Sequence, residues 1–372
     1  MTPVKYCGTF LDYSGYGQAN RNIIASLYTA GVDLATELVV QVPERGQFGW
    51  VGELAKSLSE RNIPYKIKII HLTPDMYPRY MEPGMYHIGH LFWETDRLPA
   101  EWVRPCNQMN EIWTASEKQA EMIKNSGVTV PVFFFPQPID TQNAETIHPP
   151  YIVPNFEGFK FYAIFQWIER KNPKALLSAY WKTFTGKSDV VLLLKTYRVN
   201  YTDSEFNKIR EEVAALKQEL KLDHYPRVIL LKKLMKTDEM FRLHKTGDCY
   251  VTTSRGEGWC IPAVEGMLVG NPVIGIDQTG YADYMTDDIY YPCKTELTQV
   301  VPVSWIPWYT ADQKWLEISE KDLSRQMLQV YNNQKKAEAV GWKAQKFIKD
   351  NFNYWTVGEA MKNRLEELEK FL

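Results

Sequence analysis

Residues 254–266 read SRGEGWCIPAVEG and place two carboxylates, Glu257 and Glu265, eight residues apart around a glycine-flanked turn. A β-rich segment precedes the turn, and a helix-like segment from Pro262 to Val269 follows it. An apolar stretch at 273–276 then begins after a Gly-Asn-Pro break. The predicted order is strand, turn, helix and strand, which is the repeating unit of a parallel α/β sheet.

The turn is expected to bind an anion. Gly258, Trp259, Cys260 and Ile261 fall at the predicted helix N-terminus, where backbone N–H groups and the positive end of the helix dipole favour phosphate. Two carboxylates beside a diphosphate would repel it, so we expect them to accept hydrogen bonds from flanking hydroxyls. A nucleotide sugar has such hydroxyls on both sides of its diphosphate.

The segment from Glu257 to Glu265, followed by Gly-Asn-Pro-Val-Ile, resembles the E-x7-E signature of retaining GT-B glycosyltransferases of family 4. A pair of glutamates at this spacing is common in charged helices, but a second element supports the resemblance. Arg170-Lys171-Asn172 resembles the family's R-K-(G/N) loop after the first strand of the second domain. The resemblance implies an α/β GT-B fold with two Rossmann-like domains facing a central cleft.

It also implies the roles of individual residues. Glu257 would orient the hexose, Lys171 with Arg170 would neutralise the donor diphosphate, and Glu265 would accept a hydrogen bond from the ribose. The implied reaction is retaining and metal-independent, with front-face departure of the diphosphate. No cofactor is expected beyond the nucleotide-sugar co-substrate, with a UDP- or GDP-sugar as the expected donor.

The chain is long enough for two domains. We predict an N-terminal acceptor-binding domain at 1–145 and a C-terminal nucleotide-sugar domain at 158–340, joined by a polar, proline-bearing segment. Helices at 341–372 are expected to pack back on the first domain, by analogy with family members.

The first domain opens with a strand, a glycine loop and a helix predicted from Ala19. A third glycine expected four residues after Gly17 is missing, which disfavours an NAD site. The loop instead resembles the family's first loop, so Gly15 and Gly17 become donor-binding candidates and Arg21 an acceptor-side candidate. The alternative for Arg21 is a solvated helix charge.

A predicted strand at 87–93 runs into a polar turn that carries Glu94 and Asp96. Ligands of open α/β sheets bind beyond the carboxyl ends of strands, so both are acceptor-side candidates. The alternative is that Asp96 caps the next helix. His90 in this strand is a catalytic candidate for contact with sugar or acceptor, and its alternative is a structural histidine.

The composition of the chain bears on which acceptor and which cellular compartment we expect. The 43 basic and 45 acidic residues give no global charge suited to nucleic acid, so a small molecule or a glycan is the favoured acceptor. Five scattered cysteines indicate a reducing cytoplasm, and no stretch is long and apolar enough to span a membrane. The D-x-D pair of metal-dependent GT-A enzymes is absent.

The sequence is also compatible with other functions that are found on the GT-B fold. A sugar-nucleotide epimerase or a phosphorylase shares the GT-B fold, and product analysis without an acceptor would separate these enzymes from a transferase. A non-catalytic nucleotide-sugar-binding protein is the third possibility. The presence of Glu257, Lys171 and Glu265 argues against it.

Overall fold

The structure is a computed structural model that describes residues 3–40, 48–146, 149–278, 280–303 and 306–372. The chain forms two compact units. The first comprises 1–143 and 349–372, and the second comprises 144–348. The second unit therefore begins 14 residues before the predicted limit of 158 and ends 8 residues after the predicted limit of 340.

Each unit contains a six-stranded sheet, and the second adds a two-stranded hairpin. The strands are β1 (Val4–Gly8), β2 (Leu34–Leu38), β3 (Ile67–His71), β4 (Tyr86–His90), β5 (Glu111–Thr114), β6 (Val132–Phe134), β7 (Phe159–Gln166), β8 (Val190–Tyr197), β9 (Arg227–Leu231), β10 (Cys249–Val251), β11 (Val273–Ile276), β12 (Tyr291–Cys293), β13 (Thr295–Gln299) and β14 (Lys314–Ile318).

Helices connect most of the strands. They are α1 (Gly15–Thr29), α2 (Gly49–Ser59), α3 (Tyr77–Tyr80), α4 (Ala100–Asn107), α5 (Glu117–Asn125), α6 (Thr141–Glu145), α7 (Pro173–Phe184), α8 (Asp203–Leu220), α9 (Thr237–Thr246), α10 (Ile261–Leu268), α11 (Glu320–Asn332), α12 (Gln334–Asn351) and α13 (Tyr354–Glu369).

The first sheet has the order β2-β1-β3-β4-β5-β6, and its strand pairs are parallel. Apolar side chains of β1, β3 and β4 pack against α1 and the C-terminal helix α13. The Oγ of Ser26 in α1 donates a 2.7 Å hydrogen bond to the carbonyl of Tyr354. A Cβ on Gly358 would collide with the backbone of Ser26, so glycine lets the two helices approach closely.

The second sheet has the order β12-β11-β10-β7-β8-β9 and is also parallel. Its central strands are almost entirely apolar, as expected for strands covered on both faces. Helices α7, α8 and α11 cover one face. The carboxyl ends of β7 and β10, which are neighbours in this sheet, place the two predicted motif loops side by side.

Two expectations about elements were wrong. The first helix begins at Gly15 rather than Ala19, because the side chain of Ser14 accepts the N–H of Gly17 and caps a helix four residues longer. The stretch expected to be irregular after Tyr281 contains the antiparallel hairpin of β13 and β14. Its strands are short and half-polar, so they lack a strong periodic signal.

Candidate donor site in the second domain

The loop after β10 leads directly into α10. Cys260 is the N-cap of this helix and adopts a left-handed conformation, with φ of 66°. Pro262 follows in the first turn, where its missing N–H costs no helical hydrogen bond. The helix therefore starts at Ile261, one residue before the predicted start, and directs its positive end toward the carboxyl edge of the sheet.

Glu257 forms the centre of a buried charge cluster at this edge. One oxygen of its carboxylate binds the Nζ of Lys171, and the other lies 3.3 Å from Nη1 of Arg170. Arg170 also donates a 2.6 Å hydrogen bond to the carbonyl of Gly256. Three candidates that sequence reasoning placed on separate parts of the donor thus meet in one cluster.

The charges of this cluster compensate one another. Burial alone would raise the pKa of Glu257, but the positive charges of Lys171 and Arg170 hold that pKa below its ordinary value. The carboxylate is therefore ionised at neutral pH, and it brings the two cations together at the end of the sheet.

Further contacts lock the two motif loops together. The backbone N–H of Arg255 donates to the carbonyl of Arg170 at 2.7 Å, and Nη1 of Arg255 binds the carboxylate of Glu169 at 2.6 Å. The Oγ1 of Thr253 donates to the carbonyl of Asn172 at 2.9 Å. Sequence reasoning did not single out Arg255 or Thr253, because their partners lie more than 80 residues away along the chain.

Glu265, in α10, belongs to a second buried hydrogen-bond network. Its Oε2 lies 3.2 Å from Nε2 of His244, and the Nδ1 of His244 lies 2.9 Å from the hydroxyl of Tyr162. The amide of Asn271 donates to the same hydroxyl at 2.9 Å and to the carbonyl of His244 at 2.6 Å. Only Asn271 carried a sequence signal, as part of the break after the helix.

The remaining donor candidates of the loop are largely buried. The ring of Trp259 packs edge-on against Tyr284, with 5.5 Å between centroids. Burial raises the pKa of the Cys260 thiol to about 12, so it is protonated at neutral pH. Gly280 has a φ of 58°, and a Cβ added there would come within 3.2 Å of the Trp259 backbone, so glycine is needed at this position.

Neither glycine of the first loop is shown to approach a ligand. A Cβ on Gly17 would collide with Asp12, so glycine is needed there for packing of the chain on itself. A Cβ on Gly15 would meet open space. Gly15 and Gly17 lie in the first unit, and the donor-site residues above all lie in the second.

Arg21, an acceptor-side candidate, is not a solvent-exposed charge. Its described contacts are with other residues of the first domain. It is buried, and its Nη1 donates to the carbonyls of Phe10 and Asp12 at 3.1 and 2.7 Å. Its guanidinium lies 3.7 Å from the ring centroid of Phe48. Arg21 therefore braces the loop between β1 and α1.

His90 lies at the end of β4 and is 1% exposed. Its ring stacks on that of His71, with 4.2 Å between centroids, and burial lowers its pKa to about 3. Neither ring nitrogen has a hydrogen-bond partner within the described parts of the chain. The imidazole is therefore neutral at physiological pH, and its expected contact with sugar or acceptor stays a prediction.

Glu94 and Asp96 lie in the turn after β4. Both are half-buried, and Asp96 pairs with the guanidinium of its neighbour Arg97 at 3.0 Å. The capping alternative for Asp96 was wrong, because Pro99 occupies the N-cap of α4 and no side chain caps it. The turn itself is closed by Thr95, whose Oγ1 donates to the carbonyl of Arg97 at 2.7 Å.

Across the residues that the structure describes, no three His, Cys, Asp or Glu side chains cluster in a way that could hold a metal ion. Within the same residues, no helix is long and apolar enough to cross a membrane. Positive charge at this edge of the sheet comes from Arg170, Lys171 and the N-terminus of α10, which together suit an anion.

Comparison with known proteins matches this part of the chain. Residues 167–295, which include both motif loops, match the family model described as glycosyl transferases group 1. No curated protein sequence matches the chain.

Solved structures extend the likeness to both domains. HepE of Anabaena, in complex with UDP-glucose, has a TM-score of 0.69 at 11% identity, over 99% of this chain and 100% of HepE. Sucrose-phosphate synthase of Thermosynechococcus elongatus has a TM-score of 0.70 at 11% identity, over 100% of both chains.

A TarM mutant of S. aureus, in complex with Fondaparinux, alpha-GlcNAc-glycerol and UDP, has a TM-score of 0.58 at 15% identity. The match covers 80% of this chain and 54% of the TarM chain, so this chain spans about half the length of TarM. At these identities the likeness establishes the fold. The motif-bearing part of the chain therefore carries a match to the glycosyl transferases group 1 model, and the chain as a whole shares the GT-B fold of these structures.

Proposed function

We propose that the second domain binds a nucleotide-diphosphate hexose, a UDP- or GDP-sugar, and that the protein transfers the hexose to an acceptor hydroxyl with retention and without a metal ion. The observation that carries the proposal is the cluster in which Glu257 holds Lys171 and Arg170 beside the N-terminus of α10. Two cations and a helix N-terminus converge where a diphosphate would develop charge as it leaves.

Glu257 has two successive tasks in this proposal. Before the donor binds, its carboxylate neutralises Lys171 and Arg170 and keeps them in place. When the diphosphate takes over these cations, the carboxylate is released to accept hydrogen bonds from the hexose hydroxyls. The diphosphate oxygen that leaves the anomeric carbon then takes the proton of the attacking acceptor hydroxyl from the same face of the sugar.

Glu265 would accept a hydrogen bond from the ribose. Its position is held by His244, which is itself held by Tyr162. A carboxylate fixed by a buried network loses little side-chain entropy on binding, which favours the bound geometry. The similar structures of HepE with UDP-glucose and of TarM with UDP support a uridine nucleotide as the first donor to test.

We also propose a small-molecule or glycan acceptor and a cytoplasmic location. The near balance of 43 basic and 45 acidic residues disfavours a nucleic-acid acceptor and so favours a small molecule or a glycan. The five cysteines are free and buried, which suits a reducing compartment.

The test combines binding and product analysis. Calorimetric titration with UDP, GDP, ADP and their hexose conjugates is made on the wild type, on Glu257→Gln and on Glu219→Gln, an exposed control carboxylate paired with Lys174. Donor turnover with a panel of free sugars as acceptors is then followed by NMR with EDTA present, so that the anomeric configuration of the new glycosidic bond is read directly.

Binding of a UDP- or GDP-hexose and an α-product from an α-donor in EDTA would support the proposal, with turnover lost in Glu257→Gln and kept in Glu219→Gln. A β-product or a loss of turnover in EDTA would overturn the retaining, metal-free chemistry. Conversion of the donor sugar without release of nucleotide would identify an epimerase instead.

A further inference from the structure

The antiparallel hairpin of β13 and β14 carries a carboxylate that the proposed transfer does not use. The hairpin begins at the last residue of the match to the group 1 model, so the family resemblance gives it no role. In β14, Leu316 and Ile318 are buried in the core of the second domain. Side chains alternate along a strand, so Trp315 and Glu317 project from the opposite face of β14.

The two oxygens of the Glu317 carboxylate bind different motif loops. Oε1 accepts a 2.7 Å hydrogen bond from Nδ2 of Asn172, in the loop after β7. Oε2 lies 2.6 Å from Nε of Arg255, in the loop after β10. Two neighbours on β14 also contact Arg255. The backbone N–H of Leu316 donates to its carbonyl at 2.7 Å, and its guanidinium lies 5.4 Å from the ring centroid of Trp315.

These contacts hold both chain neighbours of Lys171, the cation that pairs with Glu257. Asn172, on one side, is held by Glu317 directly. Arg170, on the other side, is held through Arg255, whose backbone N–H donates to its carbonyl at 2.7 Å. The backbone that carries Lys171 is therefore fixed from both directions by one carboxylate of the hairpin.

The conformation of Asn172 shows why this turn needs support. Its φ of 51° is left-handed, which is strained for a residue other than glycine. Its Oδ1 accepts the N–H of Ala175 at 3.3 Å and caps α7, while its Nδ2 donates to Glu317. Strained residues persist where the surrounding structure fixes them, and they cluster at binding sites. Glu317 therefore stabilises a turn that the chain does not favour locally.

We propose that Glu317 is a positioning residue for the diphosphate of the donor. By holding one residue of each motif loop, its carboxylate fixes the backbone of Lys171 before the donor binds, without touching the donor itself. A cation that is already in place needs no reorganisation when the diphosphate arrives, which favours binding and departure of that group. This inference rests on the proposed donor function of the second domain.

The experiment is a double-mutant cycle on the dissociation constants of UDP, GDP and ADP, measured by calorimetry. The proteins are the wild type, Glu317→Gln, Lys171→Met and the double variant. Lys171→Met is expected to weaken the preferred nucleotide by about tenfold or more, the scale of a charged hydrogen bond. Glu317→Gln should weaken it by about three- to tenfold when Lys171 is present and by less than about twofold in Lys171→Met, because the carboxylate acts through that cation.

The hairpin itself offers a matched control. Glu296 is exposed and lies directly opposite Glu317 on the partner strand. Glu296→Gln removes the same charge from the same hairpin and should leave all dissociation constants within about twofold of the wild type. Weakening by Glu296→Gln equal to that by Glu317→Gln would reduce the effect to a loss of charge and overturn the positioning role.

The other outcomes separate this inference from the donor function. Unchanged affinities in Glu317→Gln would overturn the positioning role alone, as would equal weakening with and without Lys171. A wild type that binds nucleotide regardless of Lys171 would overturn the role of Lys171 and this inference with it. A wild type that binds none of the three nucleotides would overturn the donor function as well.

A second variant keeps the test decisive if Glu317→Gln does not fold. Arg255→Lys keeps the charge but not the fork of donors that joins Glu317 to Glu169. It should weaken the preferred nucleotide, and again only when Lys171 is present. Weakening by Arg255→Lys that does not depend on Lys171 would contradict the inference. Thermal unfolding without ligand checks that each variant is folded.

Discussion

The two six-stranded sheets are both parallel, but their carboxyl edges have opposite chemistry. At the edge of the second sheet, Glu257 pairs with Lys171 and Arg170, and Glu265 with His244. The charge of Glu257 is compensated by the two cations, and the buried carboxylate of Glu265 has a hydrogen-bond partner.

At the edge of the first sheet, buried polar atoms have no such compensation. Nε2 of His71, both ring nitrogens of His90, Oε1 of Gln137 and Oδ1 of Asn20 have no hydrogen-bond partner among the described residues. His71 and His90 pair in one row across β3 and β4, so the uncompensated groups lie close together. Their side chains are instead packed by aromatic contacts with Phe92.

Each parallel sheet places loops at its carboxyl edge, but the side chains in those loops decide whether charged groups are held in place before a ligand binds. Paired charges in a low-dielectric site are held rigidly and are ready for a charged ligand. Uncompensated polar atoms cost stability and are expected where function requires them. Variants on the two edges should therefore respond in opposite ways.

The largest effect is expected from Lys171→Met on the second edge. Removal of this cation takes away stabilisation of the leaving diphosphate, and kcat should fall by about 100- to 1,000-fold. Steady-state kinetics on Lys171→Met and on the exposed control Lys174→Met measure it. A rise in KM with unchanged kcat would show that Lys171 binds the ground state and transition state equally.

Lys195, a buried lysine near the carboxyl end of β8, predicts a pH-dependent stability of the second domain. Its pKa of about 8 in the folded state lies below its unfolded value of 10.5, so the unfolded chain binds more protons between these values. The contribution of Lys195 to the free energy of unfolding therefore rises with pH across that window, by about 3 kcal/mol in total. Urea unfolding of wild type and Lys195→Met should show a difference that closes as the pH rises. A difference independent of pH would contradict the burial argument.

The network under Glu265 should have a moderate effect on stability. His244→Phe keeps the volume of the ring and removes one hydrogen bond each from Tyr162 and Glu265, which should cost about 1–3 kcal/mol. The exposed His224 gives the matched control, His224→Phe, which should change stability by less than about 0.5 kcal/mol. Equal urea midpoints for the two variants would show that the network contributes nothing.

The smallest effect is expected from His90→Phe on the first edge. Since neither ring nitrogen has a described partner, the replacement should leave stability unchanged or raise it by up to about 1 kcal/mol. His87→Phe on the same strand provides the contrast, because the Nε2 of His87 accepts the N–H of Glu82 at 2.9 Å and its loss should destabilise. Urea unfolding that ranks the two variants in the reverse order would refute the comparison of the edges.

Local patterns were enough to predict the α/β class and several elements. The strand β11 coincides with the apolar stretch at 273–276, and α10 begins one residue before its predicted start, because an apolar run and a first-turn proline are local signals. The E-x7-E loop and the Arg170-Lys171 loop were found for the same reason, since the residues of each lie close together along the chain.

Partners across the sheet were decided by tertiary structure alone. The pairing of Glu257 with Lys171 joins residues 86 positions apart, and the contact of His244 with Glu265 depends on how two helices lie on one face. No local pattern distinguishes Arg21 as a brace from Arg21 as a ligand, because its role depends on which carbonyls the fold brings within reach. The amino-acid order specifies periodicity, turns and caps, whereas burial and pairing of charges arise only when distant strands are brought side by side.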